Sequence, residues 1–230
     1  MVDRSNGQPQ SRVAIVTGGS RGIGWETVQV LAERGYAVVV NYVHDQQAAD
    51  AAVDSILERR GSAVAIRANV ADDLDVERLF GQTVETFGFV DAVVHAVRGQ
   101  VSATRLIECS RGELDGLWAS TVRATSCINR GAVRHIRDGG AIVNLFGSVA
   151  ETSLPAYGGY AVAASAIETV TRTLALDLRT RSVTVNGVAL DIEKPCAPQR
   201  VAEVVAFLLS DEGHDVTGQV LHLDQRTQEQ

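Results

Sequence analysis

Lysine is almost missing from this chain: Lys194 is the only one, and arginine carries nearly all the positive charge. Cysteine is also scarce. Cys109, Cys127 and Cys196 are odd in number, scattered, and form no Cys-x-x-Cys pair, which excludes a disulfide framework or a paired-cysteine zinc site and fits a reducing cytoplasm. No apolar run approaches the roughly 18 residues that a membrane span requires, and Met1 to Ser11 is polar, so neither a spanning helix nor a secretory leader is expected. A net charge of −7 argues against a nucleic-acid or anionic-membrane surface and leaves small molecules and proteins as partners.

What the chain does have is aliphatic bulk. Hydrophobic residues make up 45% of it and aromatic ones only 5%, the composition of buried parallel strands flanked by helices. Its 230 residues suit one domain spanning 1–230, with 1–11 and 225–230 as flexible ends. Apolar β-branched runs alternate with 3.6-period segments, the pattern of repeated βαβ units. Strands are expected near Val13–Val16, Ala37–Asn41, Ala63–Arg67, Ala92–Ala96, Ala141–Leu145, Ser182–Ala189 and Gln219–Leu223. Helices are expected over Ile23–Arg34, Asp45–Arg60, Asp73–Phe87, Arg111–Arg137, Gly158–Arg179 and Gln199–Leu209. The fold class is therefore α/β: a doubly wound Rossmann-type domain with a seven-stranded parallel sheet and helices on both faces.

The strongest motif is Thr17-Gly18-Gly19-Ser20-Arg21-Gly22-Ile23-Gly24, which follows the first strand and opens the first helix. In that setting glycines let the backbone turn sharply and approach a pyrophosphate, whose charge is met by free amides and the helix dipole. Gly18, Ser20, Arg21, Gly22, Ile23 and Gly24 are therefore candidate cofactor contacts.

With this turn stand Val38-Val39-Val40-Asn41-Tyr42, Ala68-Asn69-Val70, Ile142-Val143-Asn144, Tyr160-Ala161-Val162-Ala163-Ala164-Ser165-Ala166 and Val183-Thr184-Val185-Asn186. On these residues the chain resembles the short-chain dehydrogenase/reductase family, in its three-oxoacyl-carrier-protein-reductase-like branch, over nearly its whole length. The resemblance implies a nicotinamide cofactor. An NAD site places an acidic side chain about twenty residues past the glycines. Here that strand ends in Asn41 and Tyr42, where nothing repels a 2′-phosphate, and Arg21 offers that phosphate a charge-assisted contact, favouring NADP (NADPH). The alternative is that Arg21 is only an exposed solubilising charge. By the same likeness Asn69, Val70 and Ala96 join the cofactor set, Asn69 offering a carbonyl oxygen to the adenine amino group.

The family's catalytic set is Asn, Ser, Tyr and Lys. Tyr160 matches the tyrosine, but four residues on stands Ala164 in place of the lysine that holds the nicotinamide ribose and lowers the tyrosine pKa from about 10. Ser148 maps to the serine, although Phe146-Gly147-Ser148 carries one extra residue. Thr121 replaces the asparagine. Asn-Asn-Ala-Gly after the fourth strand becomes His95-Ala96-Val97-Arg98, so Arg98 either fills the cofactor groove or reaches a phosphate, and His95 reads as a structural residue more readily than as a catalytic one. Leu190-Asp191 replaces Pro-Gly, and the segment that covers the substrate is shortened.

Three functions fit these residues. One is NADPH-dependent reduction of a carbonyl or enone, small-molecule or carrier-bound, in a biosynthetic pathway. The others are a redox-inactive partner or scaffold subunit, and a redox-neutral cyclase, dehydratase or isomerase using Tyr160, His95 or Asp191. The family commonly associates through its long central helices, which implies a homodimer or homotetramer, or a hetero-oligomer with an active paralogue.

Overall fold

The computed structural model describes residues 11–96, 103–148, 157–193 and 195–223. The described residues form seven strands and seven α-helices, in the order β1 (Val13–Thr17), α1 (Gly22–Glu33), β2 (Ala37–Tyr42), α2 (Gln46–Glu58), β3 (Ser62–Arg67), α3 (Asp73–Phe87), β4 (Val90–His95), α4 (Arg111–Trp118), α5 (Ala124–His135), β5 (Ile136–Ser148), α6 (Gly158–Asp177), β6 (Thr184–Asp191), α7 (Pro198–Leu208) and β7 (Val220–Leu223). Of the expected flexible ends, 1–11 and 225–230, all but Ser11 lie outside the described residues. The strands form one parallel sheet in the order β3-β2-β1-β4-β5-β6-β7. Chain direction across the sheet reverses between β1 and β4, the crevice where doubly wound sheets bind ligands.

Each sheet face buries its own core, because alternate strand residues point to opposite sides. Val16, Val38, Val40 and Val94 pack with Val28 and Leu31 of α1, Ile56 of α2 and Val205 of α7. Ile15, Val39, Val93 and Ile142 face Leu79 and Phe80 of α3 and Ile128 of α5. Gly131 of α5 lets α3 approach: a Cβ there would lie 2.6 Å from both Phe80 and Val76. A small third cluster joins Phe146 and Ala189 to Ala164 and Ile167 of α6.

The expected helix over Arg111–Arg137 is not continuous. It divides at a π-helical turn over Ala119–Arg123 and ends at His135, where β5 takes over. At this turn Ser120 Oγ donates to Gly116 O and Leu117 O, and Thr121 Oγ1 to Leu117 O. β5 is longer than expected because it pairs with β6 out to Ser148 and Asp191. β6 starts at Thr184 rather than Ser182, since Ser182 is left-handed at φ 52°. Among the described residues no helix is long and apolar enough to cross a membrane.

Candidate active site

β1 delivers the chain into the glycine turn with Gly18 (φ 65°) and Gly22 (φ 55°) in the left-handed region. Gly24 is required by packing: a Cβ there would lie 2.1 Å from Gly18 O, because the first turn of α1 rests on the turn before it. Arg21 is exposed and caps α1 with no side-chain acceptor, and the first turn holds no acidic residue. The leading amides of α1 therefore face the crevice with their partial positive charge unanswered by a side chain, a ready anion site.

A cleft of about 910 Å³ opens from this turn. Gly18, Ser20, Arg21, Gly22, Ile23 and Gly24 form one wall. Tyr42, Val43, His44 and Asp45 follow from β2, Asn69, Val70 and Ala71 from β3, and Ala96 from β4. Ser120, Ala124, Leu145 and Leu190 form the floor, and Pro195 to Pro198 close the far side. The size and the backbone-lined end suit a dinucleotide.

Asn41 departs from expectation. Its side chain is buried and is not part of the cleft wall; Nδ2 donates to Ala68 O at 3.0 Å and Ile66 O at 3.2 Å, tying the ends of β2 and β3. Its backbone oxygen accepts from Gly19 N at 3.1 Å, so Asn41 steadies the phosphate turn through the main chain. Asp45, which sequence reasoning passed over, brings a carboxylate to the same wall; it caps α2 by accepting from Ala48 N at 3.0 Å. An aspartate just ahead of a helical stretch was the available signal. Asn69 Oδ1 accepts from Ala71 N at 3.1 Å, leaving one lone pair for the cleft.

At the base of the cleft, Ala96 N donates to Thr17 Oγ1 at 3.1 Å, and the same hydroxyl lies 2.9 Å from His95 Nδ1. His95 is 1% exposed, and burial lowers its pKa to about 4, so the ring is neutral at physiological pH and ties β4 to β1. Val97, Arg98 and Lys194 lie outside the described residues.

The expected catalytic residues gather around the ends of β5 and β6 and the start of α6. Tyr160, near the start of α6, is 4% exposed, and its hydroxyl oxygen accepts from Gly147 N at 2.9 Å. A Cβ on residue 147 would stand 2.3 Å from that oxygen, so the tyrosine holds this place only because residue 147 is glycine. Successive side chains of a strand leave on opposite faces, so Gly147, not Ser148, is the position turned to Tyr160. Ser148 is half-buried beside Asp191, and its carbonyl accepts from Ile192 N at 3.2 Å. Ala164 is buried and packs in one cluster with Phe146, Ile167 and Ala189. The Thr121 hydroxyl is turned back onto its own helix, 2.5 Å from Leu117 O.

Tyr160 lines not the large cleft but an adjoining cavity of about 420 Å³, bounded by Cys109, Leu114, Leu117 and Gly159, and Ser120 belongs to both. After β6, Asp191 Oδ1 accepts from Glu193 N at 2.8 Å, and six residues lead to α7 at Pro198, the shortened covering segment expected from the sequence.

The family profile described as Enoyl-(Acyl carrier protein) reductase matches residues 18–192. The versicolorin reductase of Emericella nidulans is 31% identical, with 97% of this chain and 98% of that protein aligned. Among solved structures, a dehydrogenase/reductase from Sinorhizobium meliloti 1021 superposes with a TM-score of 0.87 at 32% identity, covering 94% of this chain and 95% of that one. A short chain dehydrogenase from Burkholderia cenocepacia J2315, solved in complex with NADP, gives 0.85 at 30% identity over 95% and 98%. A parallel sheet that reverses direction beside a glycine-built cradle, and relatives matched along almost all their length, agree: the chain belongs to the short-chain dehydrogenase/reductase family.

Proposed function

We propose that this protein is an NADPH-dependent reductase of a carbonyl or enone in small-molecule biosynthesis. The observation that carries this reading is the 910 Å³ cleft with the α1 amides and Arg21 at one end and Ser120, next to the tyrosine cavity, at the other. Gly18, Ser20 and Gly22 to Gly24 hold the pyrophosphate through backbone amides. Arg21 pairs with the 2′-phosphate, and Asn69, Val70 and Ala96 flank the adenosine and ribose. The names of the relatives, a versicolorin reductase and an NADP-bound dehydrogenase, support the same assignment.

NADPH, when bound, supplies the hydride. Tyr160 donates the proton to the developing alkoxide, and the Gly147 amide holds its oxygen in place. General acid help of this kind is worth about 10²–10⁴-fold, so turnover without the lysine is slow rather than absent. Ser148 stays in the proposal as a hydrogen-bond donor to a carbonyl reaching it from the β5 end, with Gly147 nearer to Tyr160.

The test is thermal unfolding with either nucleotide. NADPH raises the melting temperature, since a ligand of the folded state stabilises it. Arg21→Ala cuts NADPH affinity about 10-fold and leaves NADH affinity unchanged, the scale of one charge-assisted hydrogen bond. No stabilisation by NADPH defeats the reading. Tyr160→Phe, which removes the proton donor, lowers the rate of reduction by about 10²–10⁴-fold while NADPH binding persists.

A second reading is favoured by one observation: Ala164 under Phe146 and Thr121 turned onto its helix leave the nicotinamide end without the family's usual polar groups. In it the chain is a partner subunit, homo- or hetero-oligomeric, docking through the groove of Val133, Val170 and Leu174 between α5 and α6. Co-purification with an active paralogue and no NADPH oxidation by the isolated chain is its expected outcome.

A further inference from the structure

A separate cavity of about 440 Å³ lies at the opposite end of the sheet from the nucleotide cleft, where Ser11 leads into β1, α1 ends at Glu33, and α2 passes through Arg59, Arg60 and Gly61 to Ser62 at the start of β3. Its charge is unbalanced toward the positive. Arg59 Nη1 donates to Glu33 Oε1 at 2.7 Å, which answers one guanidinium, but among the described residues Arg60 has no carboxylate within ion-pair distance. Gln29, only 7% exposed, adds a buried donor to the wall: its Oε1 accepts from Ser55 Oγ at 3.1 Å, while Nε2 reaches Ala52 O at 3.5 Å and keeps its second N–H for another acceptor.

Arg60 is held at this cavity in a strained conformation. It stands just past the end of α2 with φ at 62°, in the left-handed region where glycine is the usual occupant. Attraction to the negative end of the helix does not require this, since a cation in the last turn gains the same without strain. Backbone strain of this kind persists where it serves a site.

We propose that this cavity is a binding site for a small phosphate-bearing anion, held by the Arg60 and Arg59 guanidiniums with the Gln29 amide and the Ser11 and Ser62 hydroxyls as further donors. A planar guanidinium meets phosphate oxygens through paired N–H bonds, and Glu33 stays engaged with Arg59, so the Arg60 charge is left for the anion. The site is independent of the reductase reading. The nucleotide cleft opens at the C-terminal ends of β1 to β3 and this cavity at their N-terminal ends, with α1 running from one to the other.

Inorganic phosphate is the probe, titrated calorimetrically against the full chain at ionic strength held constant with sodium chloride and followed in parallel by amide NMR shifts. Wild type is expected to bind it with the largest shifts at Gly61 and Ser62. Arg60→Gly weakens binding at least 10-fold, the scale of one charge-assisted hydrogen bond, without lowering the melting temperature, because glycine adopts this φ freely. Arg60→Lys, which keeps the charge, retains most of the affinity. Arg59→Gln, which also frees the Glu33 carboxylate to repel the anion, weakens binding at least as much as Arg60→Gly. The proposal is overturned if wild type binds no phosphate up to about 50 mM, well above the millimolar range of weak specific sites. It is overturned equally if the shifts concentrate on Gly22, Ile23 and Gly24 of the glycine turn, or if Arg60→Gly binds phosphate as wild type does.

Discussion

The two ends of the cleft are built differently. The nucleotide end is made of main chain: Gly18 and Gly22 in left-handed turns, Gly24 pressed against Gly18 O, and the Asn41 carbonyl holding Gly19. The other end depends on side chains from β5, the Ala119–Arg123 turn and α6, with Tyr160 held at Gly147 and Ala164 packed with Phe146. A backbone site changes only if its turn changes. A side-chain site can be rebuilt residue by residue under the same fold, which is why fold alone does not fix chemistry.

Three perturbations sharpen that contrast. The largest effect belongs to Gly24→Ala: with 2.1 Å available, the turn must open, so NADPH affinity falls at least 1,000-fold and unfolding free energy by about 3 kcal/mol, read by nucleotide titration and urea denaturation. If the variant binds NADPH normally, the cradle is not where the phosphates sit. Next comes Gly147→Ala, which evicts the Tyr160 hydroxyl. The expected loss is about 10³-fold in kcat, the middle of the general-acid range, with NADPH affinity within a factor of three. An unchanged kcat means that Tyr160 does not act from this position.

The smallest effect lies at the boundary between the two ends. His95 has its pKa lowered from 6.5 to about 4, so above pH 6.5 both folded and unfolded chains carry it neutral and it costs nothing. As pH falls from 6.5 towards 4, the unfolded chain takes up a proton that the folded chain refuses. Stability then drops by up to about 3 kcal/mol. His95→Asn flattens this acid limb in urea unfolding between pH 4 and 7.5; an equally steep limb in the variant assigns the acid sensitivity elsewhere.

The sequence makes the nucleotide end legible because its determinants are contiguous: an apolar strand, a glycine turn and a helix start stand in order within about a dozen residues. The seven strands are readable for the same reason, and α3 falls on Asp73–Phe87 because Asp72 caps it and Gly88 ends it in the left-handed region. The π turn at Ala119–Arg123 is not readable from periodicity, since one wider turn inside a helical stretch leaves the apolar pattern of its flanks in place. Nor does the sequence reveal that Asn41 turns inward to the β3 carbonyls, or that Gly147 rather than Ser148 meets Tyr160. Facing at a strand end depends on register against its neighbours, and one residue of slip exchanges the faces.

The short link from Asp191 to Pro198 has a kinetic consequence. Enzymes that close a long segment over bound substrate often turn over at the rate at which that segment opens. Under the proposed reductase reading, the six residues that join β6 to α7 are too few for such a gate, so nucleotide and product would leave this part of the site at a pace set by their own contacts with its walls. Residence time here is written in the affinity of the cradle and not in the motion of this loop.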